Sequence, residues 1–228
     1  PLRYAPVFAN GRLYFGGDDG DAYCVHAATG VRLWKRRLAS TDERIPGNGR
    51  LISPWPIRGG LALEDDRVYA TAGLYPSSQG AFAVCLDAND GSIIWKTPLT
   101  TSPQGYLLIG GDDLIIPTGR ATPIALDKNS GAFRRAYSGS PGTFAVLANK
   151  QLTFGRGNGN LLGAVDRESG ARLAQFGGLS LAADDSLSFL LNRENFRVIE
   201  RERHAVLTRE IALLKTAARR ESLPETQR

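Results

Sequence analysis

Arg58 and Arg120 are the residues of this sequence best equipped for chemistry. Each flanks glycine, in Ile57-Arg58-Gly59-Gly60 and Gly119-Arg120. A guanidinium beside such open backbone can fork onto a carboxylate or a phosphate. The alternative role for the same residues is structural, tying loops to backbone carbonyls. Tyr75, Gln79, Arg156 and Asn158 join them as candidate ligand-binding residues, because they fall in the irregular stretches 73–80 and 156–160. No catalytic set emerges. The two histidines, His26 in a turn and His204 at the start of a helical stretch, belong to no Ser-His-Asp arrangement. His26 is expected to bond the backbone of its turn. Asp18-Asp19-Gly20-Asp21 crowds three carboxylates but lacks the spacing of an EF-hand loop, so it reads as acidic turn residues and no metal site is expected.

The elements that must position these side chains repeat. Val84-Cys85-Leu86-Asp87-Ala88-Asn89-Asp90-Gly91 reads as a strand and a tight turn, followed by a second strand through Trp95. The pattern returns at Cys24 to Gly30 with Trp34, at Ala125 to Gly131 with Asp127, and at Ala164 to Gly170 with Asp166. Glycine takes the positive φ that a short hairpin loop needs, and Asp, Asn, Ser or Thr before it can bond the turn's own amides. The first position of each copy is small (Cys24, Cys85, Ala125, Ala164), as a close contact between packed sheets demands. Each indole offers roughly 200 Å² for burial. Gly30, Gly91, Gly131, Gly170, the three aspartates and both tryptophans are therefore structural residues.

The spacing points to the fold. Gly91 to Gly131 is 40 residues, Gly131 to Gly170 is 39, and the 61 from Gly30 to Gly91 contains a 21-residue insertion at Ala39–Gly59. A period near 40 carrying four short alternating strands is the signature of a propeller blade. The expected architecture is all-β, a partial β-propeller of about four and a half four-stranded blades over 1–200, followed by a C-terminal amphipathic helix and tail over 201–228. The helix is expected from about His204 to Arg220, with Leu207, Ile211, Leu214 and Ala218 as one stripe. The stripe can dock on the propeller edge or pair with a further helix.

In a meandering blade the turns after strands one and three share one face. The loop after strand two and the connection to the next blade share the other. All irregular stretches, including Ala39–Gly59, 73–80, Thr118–Thr122 and 156–160, fall in the second class. A binding site is expected there, because long loops on a rigid scaffold carry function.

Charge and composition narrow the partners. The net charge is +5, but the segment from Arg193 carries nine basic and six acidic residues, leaving 19 against 17 in the repeats. No basic stripe favours nucleic acid, and no apolar run reaches membrane-spanning length, so direct membrane insertion is not expected. Cys24 and Cys85 occupy equivalent strand positions and are expected to be small buried residues. Blade-like sequence starts at the first residues, so the chain reads as a piece of something longer. An open arc of blades is then expected to self-associate.

Four copies of an Ala-x-Asp-x-x-Thr-Gly-x-x-x-Trp pattern resemble the pyrroloquinoline-quinone-like (PQQ-like) repeat β-propellers, over roughly Arg3 to Glu200. Blade two matches best. His26 replaces the aspartate in blade one, and Arg135 and Ala174 replace the tryptophan in blades three and four. The resemblance implies that the motif docks blade on blade, and it implies a periplasmic or cell-envelope location. It reaches both an outer-membrane-assembly scaffold lipoprotein and quinoprotein alcohol dehydrogenases. The dehydrogenase branch carries an adjacent cysteine pair that this sequence lacks, so PQQ with calcium is disfavoured and no cofactor is expected. The segments around Trp55–Gly60 and Pro117–Arg120 also resemble multidomain bacterial proteins in which such repeats accompany a methyltransferase-like domain, which implies an accessory role as an alternative. The reading that results is a non-catalytic binding or scaffold module. It would meet the rest of its own polypeptide, another protein or a small ligand through the irregular face.

Overall fold

The computed structural model describes residues 3–47, 49–74, 79–155, 161–177, 180–191 and 194–221. Strands β1 (Val7–Ala9), β2 (Arg12–Gly16), β3 (Asp21–His26) and β4 (Arg32–Arg37) form an antiparallel meander. A two-stranded hairpin follows, β5 (Ile45–Gly47) with β6 (Arg50–Ile52). The second meander is β7 (Ala62–Glu64), β8 (Arg67–Ala72), β9 (Ala81–Asp87) and β10 (Ile93–Leu99). The third is β11 (Leu108–Gly110), β12 (Asp113–Ile116), β13 (Ile124–Asp127) and β14 (Phe133–Ala136). The fourth is β15 (Phe144–Ala148), β16 (Gln151–Gly155), β17 (Leu161–Asp166) and β18 (Arg172–Gly177). A three-stranded sheet of β19 (Ser180–Ala183), β20 (Leu187–Leu191) and β21 (Phe196–Glu200) leads into helix α1 (Arg201–Glu221). Among the described residues this is the expected partial β-propeller. The chain divides into two compact units, residues 1–145 with 154–156, and residues 146–153 with 157–228.

Each four-stranded sheet repeats the same local chemistry. After the third strand, an amide-to-carbonyl bond closes the turn: Gly30 N to His26 O, Gly91 N to Asp87 O, Gly131 N to Asp127 O and Gly170 N to Asp166 O, all 2.8–2.9 Å. The aspartate side chain then bonds the turn's own amides, as Asp87 does Asn89 (2.7 Å), Asp127 does Ser130 (2.8 Å) and Asp166 does Ser169 (2.7 Å). These bonds hold the Asp127 carboxyl at about 2, the Ser130 amide contributing most, against a smaller opposing effect of burial. In the first sheet His26 departs from the sequence reading. Its Nδ1 lies 3.1 Å from the Thr29 hydroxyl, the same turn closed by a side-chain pair.

A bulge sits in each of the four sheets where the last two strands meet. Cys24 faces Trp34 while Val25 faces Arg32, Cys85 faces Trp95 while Leu86 faces Ile93, and the register slips equally at Ala125 and Ala164. One extra residue on the outer strand re-aims the next side chain out of its own sheet. In the first unit this sends Trp34 onto the second sheet, where its Nε1 donates to Ala88 O at 3.0 Å. Trp95 repeats the contact on the third sheet, donating to Lys128 O at 3.0 Å. A Cβ on Gly91 would stand 2.7 Å from the Trp34 ring, and one on Gly131 would stand 2.6 Å from Trp95. Trp34 is buried and Trp95 partly buried. In the third sheet Arg135 holds the tryptophan position and pairs with Asp113 at 2.8 Å.

In the second unit, α1 starts three residues earlier than the sequence suggests. The guanidinium of Arg201 is buried against the carbonyls of Asp184 and Leu187, and His204 packs on Phe176 with ring centroids 5.1 Å apart. This first turn is the anchor. The stripe does not dock on the sheets, as Leu207, Ile211 and Leu214 are 48%, 51% and 70% exposed.

Two predictions follow from the turns. Gly30, Gly91 and Gly131 share a φ of 70–73°, yet only the last two lie beneath an indole. Alanine at Gly91 or Gly131 is expected to cost about 1–3 kcal/mol more than alanine at Gly30, because overpacking adds to the same backbone strain. Trp34→Ala should cost about 3–5 kcal/mol. Urea unfolding measures all four, and equal losses at the three glycines would refute the docking contact. The second prediction concerns Asp127, whose folded pKa of about 2 lies below the ordinary 3.8. Its contribution is complete above the ordinary value and is lost as pH falls toward 2. The melting-temperature gap between the native chain and Asp127→Ala should therefore be full at pH 6 and shrink steadily through that window, and a gap that widened in acid would contradict the assignment.

Candidate functional site

The insertion between the first two sheets builds the irregular face. The loop after β2 offers its carbonyls outward, and the returning chain bonds them: Ser53 N to Asp18 O at 2.8 Å and Ile57 N to Gly17 O at 3.0 Å. Gly16 is where Ile57 seats, since any Cβ there would overlap the isoleucine side chain. Trp55 and Ile57 are buried, and the Trp55 indole donates to Gln79 O at 3.0 Å. What the sequence presents as a loose insertion is an exposed hairpin followed by a plug of core residues. The plug ends at Arg58.

Arg58 Nε donates to Asp18 Oδ1 at 3.0 Å, and Arg3 Nε approaches the same oxygen at 3.3 Å. The Asp18 side chain is only 4% exposed. Burial pushes its carboxyl up, but the pairing with Arg58 and then Arg3 outweighs burial and holds it below the ordinary carboxylate range. Beside this triad is a cavity of about 380 Å³, walled by Arg3, Tyr4, Arg58, Leu74, Ser102 and Gln104. Tyr4 stands edge-on to Tyr106, with centroids 4.7 Å apart. Ser102 donates to Leu74 O at 2.7 Å. Burial, with Tyr106 adding to it, raises the Tyr4 phenol above its ordinary pKa, so it keeps its proton at neutral pH.

The candidate residues named from sequence separate here. Arg58 is a cavity wall. Gln79 serves through its backbone carbonyl, beside the plug. Arg120 is exposed on the neighbouring loop, where Gly119 rests against the Gln104 side chain, and it does not line the cavity. Tyr75, Arg156 and Asn158 lie outside the described residues. Arg3, Tyr4 and Asp18 are additions that sequence reading missed. The acidic run is not a set of ordinary turn residues: Asp18 and Asp21 are both buried, Asp21 beside Lys35 at 2.9 Å and Arg37 at 3.6 Å. Charge balance held the clue, since three acids within four residues beside a buried strand require cations from elsewhere. Among the described residues no three His, Cys, Asp or Glu side chains come together to hold a metal ion. Cys24 and Cys85 are buried free thiols.

Known structures share this fold. The computationally designed Ika8 protein aligns with a TM-score of 0.64 at 15% identity, covering 86% of this chain and 57% of its own. BamB from Moraxella catarrhalis aligns at 0.61 and 18%, again covering 86% and 57%. A quinohemoprotein alcohol dehydrogenase from Pseudomonas putida HK5 aligns at 0.59 and 15%, covering 79% and 35%. At these identities the likeness is one of fold. The chain spans little more than half the length of the first two and about a third of the last. No curated protein sequence matches it. The family model described as outer membrane protein assembly factor BamB matches residues 18–176, and the chain belongs to that family of PQQ-like repeat propellers.

Proposed function

We propose that this chain is a non-catalytic binding and scaffold module that works in the cell envelope and meets a partner protein or a small ligand through its irregular loop face. One observation carries the reading. In the first unit the face with short turns is occupied internally, because the carbonyls of Ala88, Gly91, Lys128 and Gly131 accept hydrogen bonds from side chains of the preceding sheet. The opposite face carries the Arg58 cavity and the exposed hairpin, in which Leu51 is 68% exposed. Binding capacity is therefore concentrated on one side. The family's description as an outer membrane assembly factor supports a protein partner and an envelope location. No helix among the described residues is long and apolar enough to cross a membrane.

The face assignment is tested by photo-crosslinking in the full-length protein inside its native cell. Crosslinkers at Gln79 and Gln104 sample the irregular face, and those at Asn89 and Asn129 sample the turn face. Crosslinked products are expected from the first pair; products from the second pair alone would reverse the assignment. PQQ with calcium is not among the proposed ligands, since the two cysteines sit in successive sheets rather than side by side. Titration with PQQ and calcium, followed by cofactor absorbance, should give no complex at micromolar concentration. A micromolar or tighter complex that reduces dye would replace the scaffold reading with a dehydrogenase.

A further inference from the structure

We propose that helix α1 joins a second copy of this chain in a parallel, two-stranded coiled coil. The inference goes beyond the loop-face reading and does not depend on it. Burial is the first argument. Only the opening of α1 is enclosed: Arg201 is buried, and His204, Ala205 and Thr208 are partly so. From Arg209 to Arg219 every residue is exposed, Ile211, Leu213 and Leu214 among them. An apolar helical face left in water marks a docking surface.

Spacing and charge are the second argument, and they select the partner. Leu207, Ile211, Leu214 and Ala218 follow one another at intervals of 4, 3 and 4, the d-a-d-a order of a heptad seam. Isoleucine at a with leucine at d favours two parallel strands. In that heptad Glu210 falls at g and Lys215 at the following e. They stand roughly 140° apart around one helix and cannot meet within it. Across a parallel dimer, g of one strand faces the following e of the other. Glu210 of each copy then meets Lys215 of the other, and the two-fold axis gives two such pairs in a closed contact. An antiparallel pair would set Glu210 against Ala217 and Lys215 against Thr208, leaving both charges unmatched. A lipid surface fits less well. The exposed apolar residues Val206, Leu207, Ile211, Leu213 and Leu214 spread over roughly 160° of the helix, and Glu210 sits inside that arc. Embedding the arc in a bilayer would bury the carboxylate. The narrower a/d seam leaves Glu210 at its edge, within reach of a lysine, and leaves Val206 and Leu213 outside.

Sedimentation equilibrium of the purified chain tests this, and a monomer–dimer equilibrium is expected. Ile211→Asp puts a charge in the seam and should leave a monomer whose sheets are intact by circular dichroism, since Ile211 is exposed in its own chain. Glu210→Lys or Lys215→Glu alone should weaken dimerisation by about tenfold, and the two together should restore it. Ala218→Cys, at an a position, should crosslink to its counterpart on oxidation, because a parallel seam brings the two 218 positions face to face. The native Cys24 and Cys85 are buried and do not compete. A monomer at every concentration, a trimer, or association that Ile211→Asp leaves unchanged would each overturn the proposal. So would a double charge swap that fails to restore the dimer, or a dimer that forms no crosslink. Vesicles of phosphatidylglycerol and phosphatidylcholine are the last arm: vesicle binding that Ile211→Asp abolishes, by a chain monomeric in solution, would assign the helix to a lipid surface instead.

Discussion

An indole laid flat on a glycine of the next sheet is the contact on which the first unit depends. Every conspicuous feature of the repeat serves it. The Cys24 and Cys85 positions are small because the tryptophan crosses over them, and the bulge aims the ring outward. The glycine beneath must lack a Cβ both for its backbone and for the ring above it. The ring nitrogen finds a turn carbonyl, so burying the indole leaves no donor unpaired. Tyr14 and Tyr69, equivalent residues of the second strand, pack beside the two indoles at 6.0 and 6.1 Å. Sheet-to-sheet adhesion is thus one contact used twice.

That contact also decides where function can sit. Arg12 and Arg67 extend it by reaching Asn89 and Asn129 on the following sheets, at 3.1 and 2.8 Å, so the short turns are braced by their neighbours. The connections on the other side carry no such duty and are free to lengthen. One of them has become the Ala39–Gly59 insertion, whose second half pays back its length by burying Trp55 and Ile57. A loop that supplies its own core residues can hold a guanidinium as firmly as a strand can.

How much of this was legible depends on the range of the interaction. The strands, turns and repeat period follow from local chemistry, glycine with a preceding Asp or Thr and alternating apolar residues, and the sequence displays them openly. Arg58 stood out because glycines flank it. Its partners did not, since Asp18 lies 40 residues away and meets it where Ser53 and Ile57 bond the carbonyls of Asp18 and Gly17. Asp18 and Asp21 looked like solvated turn acids for the same reason: nothing local reveals that a carboxylate will be enclosed. The helix was legible in period but not in fate, as a stripe of leucines reads alike whether it is covered or bare.

Asp18 shows what the enclosure accomplishes. Burial disfavours the charged form of a carboxylate, and pairing with Arg58 and Arg3 outweighs that penalty and keeps Asp18 ionised. The same anion holds both guanidiniums by their Nε edges. Two long-range pairs and a buried plug thus hold in place a loop whose length alone would leave it loose.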